Sequence, residues 1–378
     1  MRMPTERLIL GAVLVMSCAG CDDTTNRISD SSTPQDESTA DDQLDQMIDE
    51  GMNTIDQGIE PDESLVDFEG FDLGSEGSCD RYLGPHAQLL SEASLPEASG
   101  LTISGISRDV LWSHNDSGND PELFAIRTDG EVLGKIRLPL LLEDLEDIDE
   151  APCPHRVGRC LWVGDIGDNE QKRDVISLII TPEPPTGLAF ETIRLEEDQL
   201  PNHTAVLPLV LEGGSADLEA LAVDHLGLHV WFFEKVEDGL SRIWVLDLTE
   251  RLISDQLALW RSGDDQPLID PLTAHLIATF EAPGIPVRHG KMITSADLSP
   301  DGKRLLIRVY TGIFEYRLPA PYAIDQLDQI EPTTVTFGPL SEPQGEAVSY
   351  GWRGEGIWSL SENPDPPQPL NFYECSSE

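Results

Sequence analysis

Short apolar runs alternate with turn signals from residue 79 to the end of the chain. Thr128-Asp129-Gly130, Asp238-Gly239 and Ser299-Pro300-Asp301-Gly302 lie between such runs and are typical of hairpins. Few stretches show the spacing of an amphipathic helix, and residues 249–259 are the best candidate for a short one. The pattern predicts a domain built mainly from short β-strands.

The apolar runs belong to a unit that recurs along the chain. In each copy an acidic residue opens one strand, and a second strand then begins with an aromatic or aliphatic pair and ends in polar residues. The acidic residues are Glu97, Glu146, Glu219, Asp297 and Glu346, and the second strands begin at Leu111, Leu161, Val230, Leu305 and Ile357. Outer strands follow several copies. One four-stranded unit cannot cover both of its faces, so such units stack radially on one another.

The predicted fold class is therefore all-β: a β-propeller of five or six four-stranded blades. Five copies are visible, and the longer intervals after the second and third copies leave room for a sixth. A β-sandwich is the alternative, but it would not need a similar acidic strand entry at every repeat.

The first residues form an export signal. Arg2 and Arg7 precede an apolar run, 8–16, that is too short to span a bilayer. Ala19-Gly20-Cys21 resembles the site at which bacterial lipoproteins are lipidated, and Cys18 is the rival acceptor. A signal peptide without lipidation is the remaining alternative. We expect a lipid anchor in the cell envelope, with inner and outer membrane both open.

An acidic linker follows the signal. Residues 22–76 hold about 18 Asp and Glu against one Arg, with no Trp or Tyr. Such a segment buries too little apolar surface to offset the entropy of ordering, so it is predicted to be disordered. The expected organisation is a signal peptide and lipidation site at 1–21, a disordered linker at 22–76 and a propeller domain at 77–378.

The remaining cysteines predict two disulfides. Lipidation of Cys21 leaves four of the six cysteines, an even number. Cys79 opens the domain and Cys375 nearly ends it, so a bond between them would lock the seam at which a propeller closes. Cys153 and Cys160 flank a short loop and would staple it. An exported location suits both bonds, whereas no CxxC spacing in the domain supports zinc.

The charge of the chain bears on its partners. A net charge of −46 disfavours nucleic acid. If the repeats align, the strand-entry acids converge near one mouth of the central channel, where carboxylate oxygens suit Ca²⁺. The predicted metal ligands are Glu97, Glu146, Asp165, Glu219, Asp297 and Glu346. The alternative is a polar ring that holds the blades together, with Lys235 and Arg308 as internal partners.

Two polar segments end neighbouring inner strands, at 114–118 and 164–169. His114 is the one histidine placed beside the predicted channel, which makes it the candidate general base. The alternative is that the Asn, Asp and Gly residues of these segments are ordinary turn residues.

Four segments carry a resemblance: 112–118, 146–148, 164–169 and 344–347. Together they resemble a family of exported bacterial propeller proteins, over roughly residues 95–375. The chain is more distantly similar to phytase-like esterase domains and to the propellers of gluconolactonases and SdiA-regulated proteins. The phytase-like link implies calcium and a phosphoester substrate, but the chain lacks a basic cluster for several phosphates.

Two functions fit these observations. The first is an envelope-anchored propeller, expected to be monomeric, that binds an unknown small ligand or envelope protein. The second is a calcium-assisted hydrolase of phosphoesters or lactones, acting in the channel with His114 as base. The sequence contains no Gly-x-Ser-x-Gly elbow, His-Glu-x-x-His motif or P-loop.

Overall fold

The computed structural model places the domain at its described residues, which are 79–91, 95–138, 142–154, 158–184, 193–194, 204–248, 270–337, 342, 344–363 and 367–376. All of them belong to the unit Phe71–Glu378. Three sequence-based predictions lie outside the described residues: the signal at 1–21 with Cys18 and Cys21, the linker at 22–76 and the helix at 249–259. No helix in the described ranges is long and apolar enough to cross a membrane.

The described residues form 21 strands and two short 3₁₀ helices. The strands are β1 (Arg81–Leu89), β2 (Ala98–Ile103), β3 (Val110–Asn115), β4 (Glu122–Arg127), β5 (Val132–Arg137), β6 (Leu145–Pro152), β7 (Arg159–Asp165), β8 (Ile176–Pro182), β9 (Ile193–Arg194), β10 (Ala205–Leu211), β11 (Leu218–Val223), β12 (His229–Glu234), β13 (Leu240–Asp247), β14 (Leu272–Glu281), β15 (Ile293–Leu298), β16 (Arg304–Val309), β17 (Gly312–Arg317), β18 (Thr333–Phe337), β19 (Gln344–Tyr350), β20 (Gly356–Glu362) and β21 (Pro369–Ser376). The helices span Ile324–Gln329 and Trp352–Gly354.

The strands group into five blades of four. Blade 1 is β2–β5, blade 2 is β6, β7, β8 and β10, blade 3 is β11–β14, blade 4 is β15–β18, and blade 5 is β19–β21 with β1. The inner strands β2, β6, β11, β15 and β19 contact one another in that order, and β19 contacts β2. The ring closes with these five blades, which confirms the propeller and decides between the two predicted blade numbers.

Two outer edges are extended beyond the plain blade pattern. The outer strands of blades 2 and 3, β10 and β14, pair in parallel at Leu209 and Leu272. The two blades therefore share one eight-stranded sheet. The two-residue strand β9 pairs with the outer strand of blade 1.

The core lies between successive blades. Its largest fully buried side chains are Trp112 and Trp162, near the start of second strands, and Trp244 of β13. Replacing such a residue with Ala costs about 3–5 kcal/mol in a typical core. The repeat seen in the sequence is thus a packing repeat, because each blade buries its aromatic residues against its neighbours.

The propeller closes through its N-terminal strand. β1 pairs with β21, with Tyr82 opposite Cys375, so the first strand is the outer strand of the last blade. Cys79 and Cys375 are bonded across this seam, with Cα atoms 5.3 Å apart. Cys153 and Cys160 are also bonded, with Cα atoms 5.0 Å apart. Both predicted pairs are therefore present.

Candidate functional site

Every inner strand carries one irregularity in its pairing with the second strand of its blade. The pairing skips one residue in each case, and these bulge positions are Gly100, Glu146, Glu219, Thr294 and Glu346. A bulge turns its side chain away from the plain alternation of a strand. Because it falls at the same place in every blade, the five residues are structurally equivalent. Three of them are glutamates.

The structure brings together three of the five strand-entry acids. Glu97 precedes the bulge position of blade 1, is exposed and accepts a hydrogen bond from Asn119 Nδ2 at 2.6 Å. Asp297 follows the bulge position of blade 4 and accepts the Tyr350 N–H at 2.6 Å. The expectation that all five acids occupy corresponding places is therefore corrected for these two.

The three bulge glutamates and Lys235 form what we call the channel mouth. Lys235 follows the second strand of blade 3 and donates a hydrogen bond to Glu219. Its ammonium also lies 5.7 Å from the ring centre of Tyr310 in blade 4. Glu346 accepts a hydrogen bond from Gln344 Nε2 at 2.7 Å. The predicted alternative partner, Arg308, instead pairs with Glu342.

The carboxyl groups of the mouth are hard to ionise. Burial raises the pKa of Glu146 well above its ordinary value, and the charge of Glu219 adds to the effect. Burial raises the pKa of Glu219 to about 7, although Lys235 opposes it. Glu346 is raised well above its ordinary value, again by burial first and by Glu219 second. If all three glutamates were ionised, the mouth would carry excess negative charge, and a bound cation would relieve it.

Three acids at the edge of the mouth have the spacing of a metal site. One oxygen each from Asp116, Asp144 and Glu146 lies within 4.8 Å of the others. We call these residues the cation triad. It is the one such group in the part of the chain that the structure describes. Three carboxylate oxygens with no nitrogen or sulfur suit a hard cation such as Ca²⁺, whose six to eight ligands would include water.

Two observations inside the triad point to a ligand. Glu146 is 2% exposed, and its Oε1 has no hydrogen-bond partner among the described residues. A Cβ at Gly167 would overlap this atom and lie 2.5 Å from Asp144 Oδ2. Only glycine therefore leaves space beside the two carboxylates. A buried carboxylate oxygen without a donor is costly unless something else compensates it.

Asp165 lies behind the triad. Its Oδ1 accepts the backbone N–H groups of Asp144 at 2.9 Å and Glu143 at 3.2 Å, and Arg173 donates to the same oxygen at 3.0 Å. In this arrangement Asp165 fixes the backbone that carries Asp144. Its predicted role as a metal ligand stays a prediction.

His114 lies between blades 1 and 2 with no exposed surface. Its Nδ1 is 3.0 Å from the Asn115 carbonyl oxygen, and Nε2 faces the space left by Gly100. Burial lowers the pKa of His114 to about 4, so the ring is neutral at pH 7. The predicted general-base role has no route to solvent in this arrangement.

A second set of acids lies deeper in the channel. Asp147 Oδ2 accepts the N–H groups of Leu221 at 3.0 Å and Ala296 at 3.2 Å. Its Oδ1 accepts the Ser295 hydroxyl at 3.1 Å and the Ile148 N–H at 3.0 Å. This one side chain, on blade 2, thus ties blade 3 and the more distant blade 4. Because it reaches the inner strands of two other blades, we call it the axial aspartate.

Sequence reasoning missed most of the triad. Glu146 was predicted as a ligand, whereas Asp116 and Asp144 were not. Asp116 lies in a polar segment that the sequence did single out, and Asp144 belongs to the acidic run that leads into β6. Only their position at adjoining blades, which needs the fold, brings them together.

The comparisons with known proteins give no close relative. No family model matches the chain, and no curated protein matches it. Among solved structures, the chain is similar to one described as the WD40 repeats of RRP9, at 9% identity, and to one of U3-55K, at 10% identity. Each alignment covers 73% of this chain, 66% and 67% of the other chain respectively, and has a TM-score of 0.33. The fold assignment rests on the strand pairing described above.

Proposed function

We propose that this protein is an exported lipoprotein, anchored in the cell envelope through Cys21 or Cys18, whose propeller binds a divalent cation and a ligand at the channel mouth. The observation that carries the proposal is Glu146 Oε1. This oxygen is buried and lacks a donor among the described residues, and one oxygen of the same carboxylate lies within 4.8 Å of oxygens of Asp116 and Asp144. The export signal at 1–21 supports the anchoring.

The charge balance of the mouth supports a cation. Lys235 faces the three bulge glutamates and pairs directly with Glu219 alone. The triad acids Asp116 and Asp144 add to the repulsion on Glu146. A bound cation would supply positive charge beside the unpaired oxygen, and Ca²⁺ is the hard cation that we favour.

The test is calorimetric titration of Ca²⁺ into the full chain, purified in detergent and stripped with a chelator. We expect saturable binding and a rise in melting temperature. Asp116→Asn and Asp144→Asn each remove one charged ligand and should weaken binding at least about tenfold, or about 1.4 kcal/mol. Glu131→Gln, an exposed acid elsewhere on blade 1, is the matched control. Equal binding by the triad variants and the control would contradict the proposal.

The calcium-assisted hydrolase draws no support from His114, because that residue is buried and neutral. It stays a prediction. Metal-dependent turnover of phosphoesters or lactones that Asp144→Asn abolishes would revive it.

A further inference from the structure

The channel mouth is surrounded by further acids. Asp116 interacts electrostatically with Glu97 as well as with Lys235. Glu362 interacts with Glu97, Asp116 and Lys235. Asp217 also faces Lys235 and Asp144. We call Glu97, Asp217 and Glu362 the rim. The rim and the mouth are therefore electrostatically coupled. Together they form an acidic surface whose mouth glutamates are buried, whereas Glu97 of the rim is exposed and Glu362 is half-buried.

A ligand of this surface meets two kinds of group within one small space. Lys235 and a bound cation need lone pairs, because neither can accept a hydrogen bond. The carboxylates of the rim need hydrogen-bond donors, because an ionised carboxylate only accepts. The complementary ligand must supply both from the same few atoms.

Three common ligand groups differ in this respect. A carboxylate or phosphate supplies lone pairs alone, and the acids of the rim repel it. An ammonium supplies donors alone, so it leaves Lys235 and the bound cation without a lone pair. A hydroxyl supplies a lone pair and a proton together, without charge. Neighbouring hydroxyls on one ring present that combination several times.

The rim itself offers sites for such protons. Glu362 is half-buried and accepts a hydrogen bond from Gln344 Nε2. Glu97 is exposed and accepts one from Asn119 Nδ2. Each carboxylate has capacity for more donors than that one amide. Gln344 and Asn119 also carry amide oxygens, so the rim can adapt to several hydroxyl positions.

We propose that the ligand of the channel mouth is a neutral polyhydroxylated molecule, a sugar unit of a carbohydrate. Its hydroxyl oxygens bind the cation held by Asp116, Asp144 and Glu146, and its hydroxyl protons go to the rim. The proposal rests on the proposed cation site. It is independent of any turnover, because it concerns recognition alone.

The first experiment separates the ligand classes. The full chain with saturating Ca²⁺ is titrated with neutral hexasaccharides of glucose, mannose, xylose and arabinose. Hexagalacturonate is the anionic comparator and the chitosan hexamer the cationic one. We expect at least one neutral sugar to bind, at least about tenfold more tightly than either charged comparator, and a chelator to abolish that binding. Preference for a charged comparator, or no neutral binder in the panel, would overturn the proposal.

A second experiment separates this proposal from the cation site. Glu362→Gln removes the charge of one rim acceptor and leaves all three triad acids in place. Calcium affinity should change by no more than about threefold, while sugar affinity should fall about tenfold, as expected for one charge-assisted hydrogen bond. Glu131→Gln again serves as control. If calcium binds but Glu362→Gln leaves the sugar affinity unchanged, the sugar site alone is refuted. If the wild type does not bind calcium, the proposed function is refuted.

Discussion

Replacing the axial aspartate, Asp147, should weaken the contacts between blades and lower the stability of the propeller. Asp147 accepts hydrogen bonds from Leu221 of blade 3 and from Ser295 and Ala296 of blade 4, and its side chain has no exposed surface. Asp147→Ala leaves these three donors of blades 3 and 4, and the Ile148 N–H of its own strand, without their acceptor. The substitution therefore removes a side chain that ties three inner strands at once.

The structure sets the size of the effect. A buried donor left unpaired costs about 1–3 kcal/mol, and water entering the vacated space recovers part of that, so we expect a loss of about 3–6 kcal/mol for the three donors. Asp147→Asn keeps one oxygen, which can still accept from Leu221 and Ala296. Its amide group then faces Ser295, whose hydroxyl can accept, and the Ile148 N–H, which loses its acceptor. The expected loss is about 1–2 kcal/mol.

Urea unfolding followed by tryptophan fluorescence measures both losses. The chain has seven Trp, and those of the second strands report on blade packing. Asp174→Ala, at an exposed aspartate, is the control and should change stability by less than about 0.5 kcal/mol. If Asp147→Ala unfolded at the same urea concentration as the control, the axial carboxylate would not hold the blades and the reasoning would fail.

Three further predictions concern pH, the seam and the cation triad. Burial raises the pKa of Asp149 to about 6, so the folded state binds its proton more tightly than the unfolded state does. Its contribution to stability is fully present below about pH 4 and lost as the pH rises through 6. Relative to Asp149→Asn, wild-type stability should fall by about 2 kcal/mol between pH 4 and 7 in urea titrations, and parallel profiles would contradict this. Cys79→Ser breaks the bond to Cys375, whose sequence separation is 296. Because the bond restricts the unfolded chain, its loss should lower the free energy of unfolding by up to about 5 kcal/mol. An unchanged melting curve would count against a locked seam. Gly167→Ala should abolish Ca²⁺ binding, as measured by calorimetry, without unfolding the chain, because its Cβ would overlap Glu146 Oε1. Retained binding would place the cation elsewhere.

The blade repeat could be predicted because it is a local pattern. Each copy keeps the same order of apolar and polar residues, and the residues that mark it, such as Trp112 and Trp162, are buried for the same reason in every blade. The number of blades could not be predicted. It depends on whether the last inner strand reaches the first, and that contact joins residues at opposite ends of the domain.

The candidate site shows where sequence alignment fails. The acids were aligned by residue type, which places Glu97 and Asp297 with the three true bulge glutamates. The bulge instead falls at Gly100 and Thr294 in those blades. A bulge inserts a single residue and leaves the apolar alternation on either side nearly unchanged, so the sequence carries little signal for it. An acid a few residues away was therefore mistaken for the equivalent one.

The channel contains two neighbouring acids that differ in one decisive respect. Asp147 and Glu146 are adjacent in the chain and equally buried, yet Asp147 receives donors on both oxygens while Glu146 Oε1 receives none among the described residues. Burial alone therefore does not mark a binding site, because the protein satisfies Asp147 with its own strands. An unsatisfied oxygen costs stability in the absence of a ligand. A cation that binds the folded state alone would recover that stability by mass action. The stability of the protein should therefore be sensitive to substitution of Asp147, and Ca²⁺ should not change that effect. At Glu146, stability should be insensitive to substitution but sensitive to Ca²⁺.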